Sequence, residues 1–281
     1  MNKLKKIKLI YILGAGHSGS TLLDHLLSSH SMIESGGELY KYLPYVSDTL
    51  SVRPYDNRFC SCGEHINDCG YWKTIKDVVA TKHGTFEVDL LNDTSEKFGI
   101  YNKDVIEEML KTSGKVIFCD SSKKLTRLEA LIQCSLFDVY VVHLVRDGRA
   151  VGYSHYKKGH SFLTTVRRWK RILDRHGEWI KHWSKPERCI TLRYEDLVDN
   201  PSIYLEKIVK MVGLKFEPEQ LQFRKGEHHI LSGNRMRWSK NQEIKRDKSY
   251  IKKISWYQWN VANIVFGRVL KQFGYSLSKR E

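Results

Sequence analysis

The amino-acid sequence predicts an α/β fold in which helices cover a central parallel sheet. Four short apolar runs have the pattern of buried strands, and a helical pattern follows each of them. These strands are predicted at 8–13, 114–120, 138–145 and 188–194. Strands that alternate with helices form parallel sheets, because each connecting helix returns the chain in the same direction. The 281 residues are expected to form one domain, spanning 1–281.

The first strand leads into a glycine-rich turn and then into a helix predicted at 20–29. Gly14, Gly16 and Gly19 match the G-x-G-x-x-G dinucleotide pattern. Gly14 and Gly19 also have P-loop spacing, with Ser20 in place of the P-loop lysine. Either pattern predicts an anion site, because glycines let N–H groups approach a phosphate and the helix N-terminus adds a positive dipole. The missing lysine disfavours ATP hydrolysis, and the glycines of "MIESGGEL" make a poor second strand for a dinucleotide site.

Later helices are predicted from apolar periodicity and from end signals. The helix at 162–183 repeats apolar residues at near-helical spacing, so its tryptophans are interpreted as core residues. Proline and glycine delimit a helix between Asn200 and Gly213, and a last helix is predicted at 255–273. The strongly basic segment at about 226–253 is interpreted as a lid-like, anion-binding segment, with a solvated run of charges as the alternative.

Charge and hydropathy restrict the class of protein. The formal net charge is +15, from 47 Lys and Arg against 32 Asp and Glu, which favours an anionic ligand, nucleic acid or a membrane surface as partner. There is no run of 18 apolar residues, so a cytoplasmic enzyme is expected. A basic RNA-binding protein remains an alternative, although no RRM, KH or zinc-finger signature is present.

A second anion signal follows the strand at 138–145. The stretch "LVRDGRAVGYS" presents Arg146 directly after the strand and Ser154 one helix later. Two phosphate sites at neighbouring strand ends fit one nucleotide that carries two phosphorylated positions. The alternative is that Arg146 and Asp147 only form an ion pair at the start of a helix.

With these motifs the chain resembles the sulfotransferases that use 3′-phosphoadenosine 5′-phosphosulfate (PAPS), in their bacterial, tyrosylprotein and carbohydrate branch. The stretch "GAGHSGSTLL" resembles the family's 5′-phosphosulfate loop, and "LVRDGRAVGYS" resembles its 3′-phosphate motif. The stretch "LRYEDLVDNP" resembles the segment that brings a tyrosine, here Tyr194, towards the adenine. The stretch "GNRMR", which contains Arg237, resembles the late basic loop that closes on the nucleotide.

The resemblance implies a P-loop NTPase-like parallel sheet flanked by helices, the sulfotransferase fold. It implies transfer of a sulfuryl group from PAPS, as co-substrate, to a hydroxyl or a nitrogen of a small-molecule acceptor such as a specialised metabolite or a sugar. Adenosine 3′,5′-bisphosphate (PAP) is released, no metal is required, and no nucleic acid or membrane partner is expected. An ATP-dependent P-loop kinase is the alternative enzyme. The implied nucleotide-binding residues are Gly16, His17, Ser18, Gly19, Ser20, Thr21, Arg146, Ser154, Tyr194 and Arg237.

Three residues receive catalytic roles from the same resemblance. Glu38 stands where relatives place a glutamate base soon after the first helix. His17 replaces the arginine or lysine that relatives carry before the Ser-Gly of the loop, and its charge near neutral pH is conditional. Lys123 is therefore expected to supply the permanent cation, while Asp120 is considered as a group that orients Lys123 or as a reserve base.

A cysteine cluster lies between the first two motifs. Cys60, Cys62, His65 and Cys69 are sufficient for a Cys₃His zinc site, but their spacing fits no common zinc module closely. We therefore expect a small structural insertion at about 53–75, near the acceptor entrance, without a metal ion. A disulfide is disfavoured in a reducing compartment.

Overall fold

The computed structural model describes residues 6–41, 59–84, 96–238 and 243–279. Within these ranges, five parallel strands form one sheet in the order β2-β3-β1-β4-β5. The strands are β1 (Ile7–Gly14), β2 (Ile33–Ser35), β3 (Ile117–Lys123), β4 (Phe137–Val145) and β5 (Cys189–Arg193). The sequence located four of them. It missed β2, because this edge strand has three residues and ends at Ser35, just before the glycines that had argued against a strand.

Helices cover both faces of the sheet, and the alternation of side chains along β1 explains why. Leu9, Tyr11 and Leu13 pack on one face of the sheet, with α2, α3 and α4. Ile10 and Ile12 point to the other face and pack with α1, α7 and α8. The helices in the described ranges are α1 (Ser20–Ser28), α2 (Gly70–His83), α3 (Phe98–Ser113), α4 (Leu125–Gln133), α5 (Gly148–Tyr156), α6 (Phe162–Lys181), α7 (Tyr194–Asp199), α8 (Pro201–Met211), α9 (Ser249–Lys253) and α10 (Trp256–Gln272). A third apolar cluster joins α5, α6 and α10.

The described part of the cysteine segment belongs to the packed body of the protein. Cys60, Cys69, Trp72 and Ile75 are buried in the same apolar cluster as α3. The remainder of the predicted insertion, 53–58, lies outside the described residues, as do 239–242 of the basic segment. Among the helices that the structure describes, none is long and apolar enough to cross a membrane.

Candidate active site

The order of the strands arranges the candidate side chains in a row along one edge of the sheet. Leu13 pairs with Lys123 at the end of β3, and Gly14 pairs with Leu144 near the end of β4. Since all five strands are parallel, the segments that follow them meet at their carboxyl ends, where open α/β sheets bind ligands. Glu38 follows β2, Lys123 ends β3, and the glycine loop follows β1. Arg146 follows β4 and Tyr194 follows β5, on the opposite side of the loop.

A cavity of about 1040 Å³ opens along this row. Seven Lys and Arg residues line it, against three Glu residues, so the cavity itself carries the positive charge that an anionic ligand requires. The sequence-predicted residues that line it are Gly16, His17, Gly19, Ser20, Thr21, Glu38, Lys123, Arg146 and Tyr194.

The glycine loop needs glycine where it meets Tyr194. Gly19 has a φ of 95°, and a Cβ atom there would lie 2.2 Å from Cδ2 of the Tyr194 ring. Gly19 is the N-cap residue of α1, so the unpaired N–H groups of the first helical turn open onto the cavity. On the other side, the N–H of Asn234 donates to Thr21 Oγ1 at 3.1 Å, which joins the late basic segment to the loop.

Arg146 and Ser154 both contact the loop through His17. The Nη1 atom of Arg146 donates to the His17 carbonyl at 3.1 Å, and Ser154 Oγ lies 3.0 Å from His17 Nδ1. The guanidinium of Arg146 also lies over the Tyr194 ring, 4.5 Å from its centroid. The alternative pair between Arg146 and Asp147 is not formed, because Asp147 binds Arg149 Nη2 at 2.7 Å instead.

The His17 ring lies among cationic side chains. Burial lowers the pKa of His17 to about 3, and the nearby charges of Lys158 and Arg146 act in the same direction. Lys158 Nζ lies 3.4 Å from His17 Nε2. His17 is therefore a neutral hydrogen-bonding group at pH 7, and the fixed positive charge around the loop comes from lysine and arginine.

Glu38 is held between two ammonium groups. Its two carboxylate oxygens lie 2.6 Å from Lys123 Nζ and 2.6 Å from Lys41 Nζ. Burial by itself would raise the pKa of Glu38, but Lys123 and Lys41 outweigh it and lower the pKa to about 2. Glu38 is therefore ionised at neutral pH, and its pKa depends on how close the ammonium groups of Lys41 and Lys123 lie to its carboxylate.

Three sequence-predicted residues do not line the cavity themselves. Ser18 is a buried residue of the loop. Ser154 contacts His17, which does line the cavity. Arg237 is buried, donates from Nη2 to the Phe59 carbonyl at 3.1 Å and lies over the Trp238 ring. The structure thus connects Arg237 to the cysteine segment.

Asp120 has a structural environment. It is fully buried, and its carboxylate accepts from Arg127 Nε at 2.9 Å and from the Ser122 N–H at 2.9 Å. Because its charge is compensated by Arg127 and it does not line the cavity, the interpretation of Asp120 as a reserve base is wrong.

Sequence analysis missed one charged neighbour of the candidate base. Lys41 follows Glu38 by three residues, in the short 3₁₀-helix Leu39–Lys41, which brings the two side chains together. An i,i+3 pair of opposite charges was the available signal.

The tryptophans of the helix predicted at 162–183 are expected to be core residues, but only one of the three is fully buried. Trp169 is buried, but Trp179 lines the cavity and stacks on the half-buried Trp183 with ring centroids 4.9 Å apart. A second stripe, on α6 and its C-cap residue, faces the cavity at alternating spacings of four and three, which is helical periodicity: Arg168, Ile172, Arg175, Trp179 and His182. This stripe lies beside the buried one in sequence and could have been recognised by the same counting.

Comparison with known sequences identifies relatives of this chain. A model of the sulfotransferase family matches residues 10–218. Carbohydrate sulfotransferase 4 of Mus musculus is 29% identical over 142 residues, which cover 41% of this chain. An uncharacterized protein of Aquifex aeolicus (strain VF5) is 22% identical over 227 residues, which cover 77% of this chain. The matches span only 36% and 27% of the lengths of these two relatives.

Solved structures show the same fold. The sulfotransferase domain from the curacin biosynthetic pathway matches with a TM-score of 0.63 and 21% identity, over 98% of this chain and 100% of that one. Mouse sulfotransferase SULT7A1, in a structure complexed with PAP, matches with a TM-score of 0.50 and 10% identity, over 95% of this chain and 88% of that one. The predicted fold, a parallel sheet of the P-loop-like sulfotransferase type flanked by helices, is confirmed.

Proposed function

This chain belongs to the sulfotransferase family, and we propose that it transfers a sulfuryl group from PAPS to a hydroxyl, or alternatively a nitrogen, of a small-molecule acceptor such as a specialised metabolite or a sugar. One observation carries the proposal: the row of side chains at the sheet edge is divided by the glycine loop. Glu38 and Lys123 lie on one side of the loop, and Arg146 and Tyr194 lie on the other. The first pair suits the acceptor, and the second suits the nucleotide.

On the nucleotide side, the proposed contacts follow from charge and shape. Arg146 and Ser154 bind the 3′-phosphate, because both already converge on His17 at the cavity wall. The N–H groups of the loop and the start of α1 bind the 5′-phosphosulfate. The ring of Tyr194 packs against the adenine. The PAP in the similar structure of mouse sulfotransferase SULT7A1 supports the choice of nucleotide.

On the acceptor side, Glu38 accepts the proton of the acceptor hydroxyl as its oxygen attacks sulfur. The bond between sulfur and the bridging oxygen breaks, and PAP leaves with the electron pair. Negative charge then develops on the 5′-phosphate, where the loop N–H groups and the Lys123 ammonium stabilise it. Lys123 lies beside the loop because β3 pairs with β1 up to Leu13.

Lys123 also links donor binding to the strength of the base. A carboxylate whose pKa is about 2 accepts a proton poorly at neutral pH. When the phosphosulfate binds beside Lys123, the ammonium gains an anionic partner and its hold on Glu38 weakens. The pKa of Glu38 then rises, so the base becomes effective when the donor is in place.

The α6 stripe supports a small organic acceptor. Ile172 and Trp179 supply apolar and aromatic surface, and Arg168 and Arg175 add positive charge to the same wall of the cavity. This wall favours an acceptor that has a ring or alkyl part and also a polar or anionic group.

The lysine pair around Glu38 predicts a pH effect. Replacing Lys41 by methionine removes one of the two ammonium groups that lower the pKa of Glu38, so this pKa should rise from about 2 by about one unit. The carboxyl carbon NMR signal of Glu38, followed against pH in the unliganded protein, measures the shift. Lys124→Met is the matched control, because Lys124 lies over the Tyr40 ring instead, at 4.0 Å. An unchanged Glu38 midpoint in Lys41→Met would contradict the proposed electrostatics.

Transfer of radioactive sulfur from labelled PAPS tests the proposed reaction. Phenols, sugars and amines are offered as acceptors without added metal, and parallel reactions contain labelled ATP and Mg²⁺. The sulfotransferase proposal predicts that sulfur label enters an acceptor and that PAP accumulates in equal amount. Phosphoryl transfer from ATP without any sulfuryl transfer would instead establish the kinase alternative.

A further inference from the structure

Four potential metal ligands converge outside the cavity. The Sγ atoms of Cys60, Cys62 and Cys69 and a ring nitrogen of His229 all lie within 4.8 Å of one another. The sequence had placed His65 in this group, but His65 packs edge-on against Phe59 and its Nδ1 accepts from the Asn67 N–H. The fourth member, His229, is separated from Cys69 by 160 residues of sequence, which explains why no zinc-module spacing could be recognised.

The separations of these atoms match a tetrahedral zinc site. With Zn–S bonds of about 2.3 Å and a Zn–N bond of about 2.0–2.1 Å, ideal sulfur–sulfur and sulfur–nitrogen separations are about 3.8 Å and 3.6 Å. Cys62 and Cys69 have their sulfur atoms 3.7 Å apart. The Nδ1 atom of His229 lies 3.5 Å from Cys60 Sγ and 3.4 Å from Cys69 Sγ. We propose that Cys60, Cys62, Cys69 and His229 bind one structural zinc ion.

The His229 ring is oriented as a zinc ligand should be. Its Nδ1 faces the cysteines, and its Nε2 lies 3.3 Å from a carboxylate oxygen of Glu227. Donation of the second ring N–H to a carboxylate is the usual support of a metal-bound histidine, since it fixes the tautomer and the ring. Tyr71 stacks on the same ring, with centroids 4.5 Å apart and planes 6° apart.

The three cysteines lie in a hydrogen-bonded turn and at the start of a helix. Cys60 and Cys62 lie in a tight turn that is closed by the Cys60 N–H, which donates to the Glu64 carbonyl at 2.8 Å. Gly63 makes this turn possible with a φ of 99°. Cys69 is the N-cap residue of α2, where the helix dipole favours a thiolate. Four protein ligands leave no open position, which is the arrangement of structural rather than catalytic zinc.

The proposed zinc would hold the segment around His229 against the candidate base. Leu231 lies two residues after His229, and its N–H and carbonyl bond to the Gly36 carbonyl and the Glu38 N–H at 3.1 Å and 3.2 Å. The Trp72 indole donates to the His229 carbonyl at 3.0 Å, which joins α2 to the same segment. Metal binding at the cluster therefore fixes the backbone that carries Glu38. The proposal does not depend on which reaction Glu38 serves.

Metal analysis of the full chain, purified under reducing conditions without chelator, tests the proposal. We expect about one zinc ion per chain in the wild type and in His65→Ala, the matched histidine control. Cys62→Ser and His229→Ala should bind zinc more weakly, by more than the roughly 10- to 100-fold loss that follows removal of an outer-shell partner. In the second measurement, Co²⁺ added to the metal-free wild type should give the visible spectrum of a tetrahedral site with thiolate ligands.

The cobalt titration keeps the proposal testable if a cysteine variant does not fold, because it uses the wild-type chain. Wild-type protein that binds neither zinc nor Co²⁺ under reducing conditions would overturn the zinc site. Wild-type protein purified without reductant that carries a disulfide between Cys62 and Cys69 and holds no zinc would overturn it in favour of a redox pair. Loss of zinc in His65→Ala, with retention in His229→Ala, would overturn the assignment of the fourth ligand.

Discussion

Replacing Glu38 by glutamine is expected to lower turnover of PAPS by about 100-fold or more, because a positioned general base contributes roughly 10² to 10⁴ in rate. Affinity for PAP should be unchanged or slightly higher. The variant keeps the size of the side chain, and it removes the carboxylate that neutralises Lys41 and Lys123. Steady-state kinetics with an acceptor from the labelling screen measures turnover, and calorimetry measures the affinity for PAP.

The matched control for this variant is Glu129→Gln. Glu129 also lines the cavity but lies on α4, whereas Lys41 and Lys123 form their ion pairs with Glu38. It should retain nearly all of the wild-type turnover. If Glu38→Gln turns over PAPS as fast as Glu129→Gln, then Glu38 is not the base.

Replacing Arg127 by methionine is expected to destabilise the protein by about 3–5 kcal/mol, because it leaves the buried Asp120 carboxylate without its cation. Arg127 and Asp120 are both nearly inaccessible, with side-chain exposures of 1% and 0%. Arg127 Nη2 also donates to Asn102 Oδ1 at 2.7 Å, so the variant also leaves this buried oxygen without that donor. Urea denaturation monitored by tryptophan fluorescence measures the free energy of unfolding.

Lys170→Met serves as the control for ion-pair removal. Lys170 pairs with Asp174 on the exposed side of α6, where the two side chains are 37% and 48% accessible. Water screens such a pair, so the free energy of unfolding should change by no more than about 1 kcal/mol. If Arg127→Met and Lys170→Met lose equal free energy of unfolding, then the buried pair of Arg127 and Asp120 stabilises the protein no more than an exposed ion pair does.

The residues of the proposed nucleotide side could be brought together from the sequence alone, because they follow the strands of a parallel sheet. Arg146 directly follows the predicted strand at 138–145, and Tyr194 is the last residue of the predicted strand at 188–194, so predicting the strands also places both residues at the same edge. The glycine loop carries its own signal, because close approach of the backbone to an anion requires glycine. The strand β2 escaped prediction, since three residues do not establish a period.

Contacts that depend on how the elements pack against each other could not be predicted. The pairing of Asp120 with Arg127, and not with Lys123, depends on the direction in which α4 leaves the end of β3. The convergence of His229 on three cysteines depends on how the late segment lies against α2. A single sequence does not show such distances. The histidine closest in sequence to the three cysteines is His65, and the sequence therefore indicates it as the fourth candidate ligand.

The central claim is that the cavity binds a nucleotide with a 3′-phosphate, and calorimetry with PAP, ADP and NAD⁺ tests it most directly. The wild-type protein should bind PAP without metal, and more tightly than either ADP or NAD⁺. In Arg146→Ala the affinity for PAP should fall by about 1.5–3 kcal/mol, the usual value of a hydrogen bond to a charged group, while the affinity for ADP changes little. Preference for ADP in the presence of Mg²⁺, or equal affinity for PAP in the wild type and in Arg146→Ala, would contradict the account.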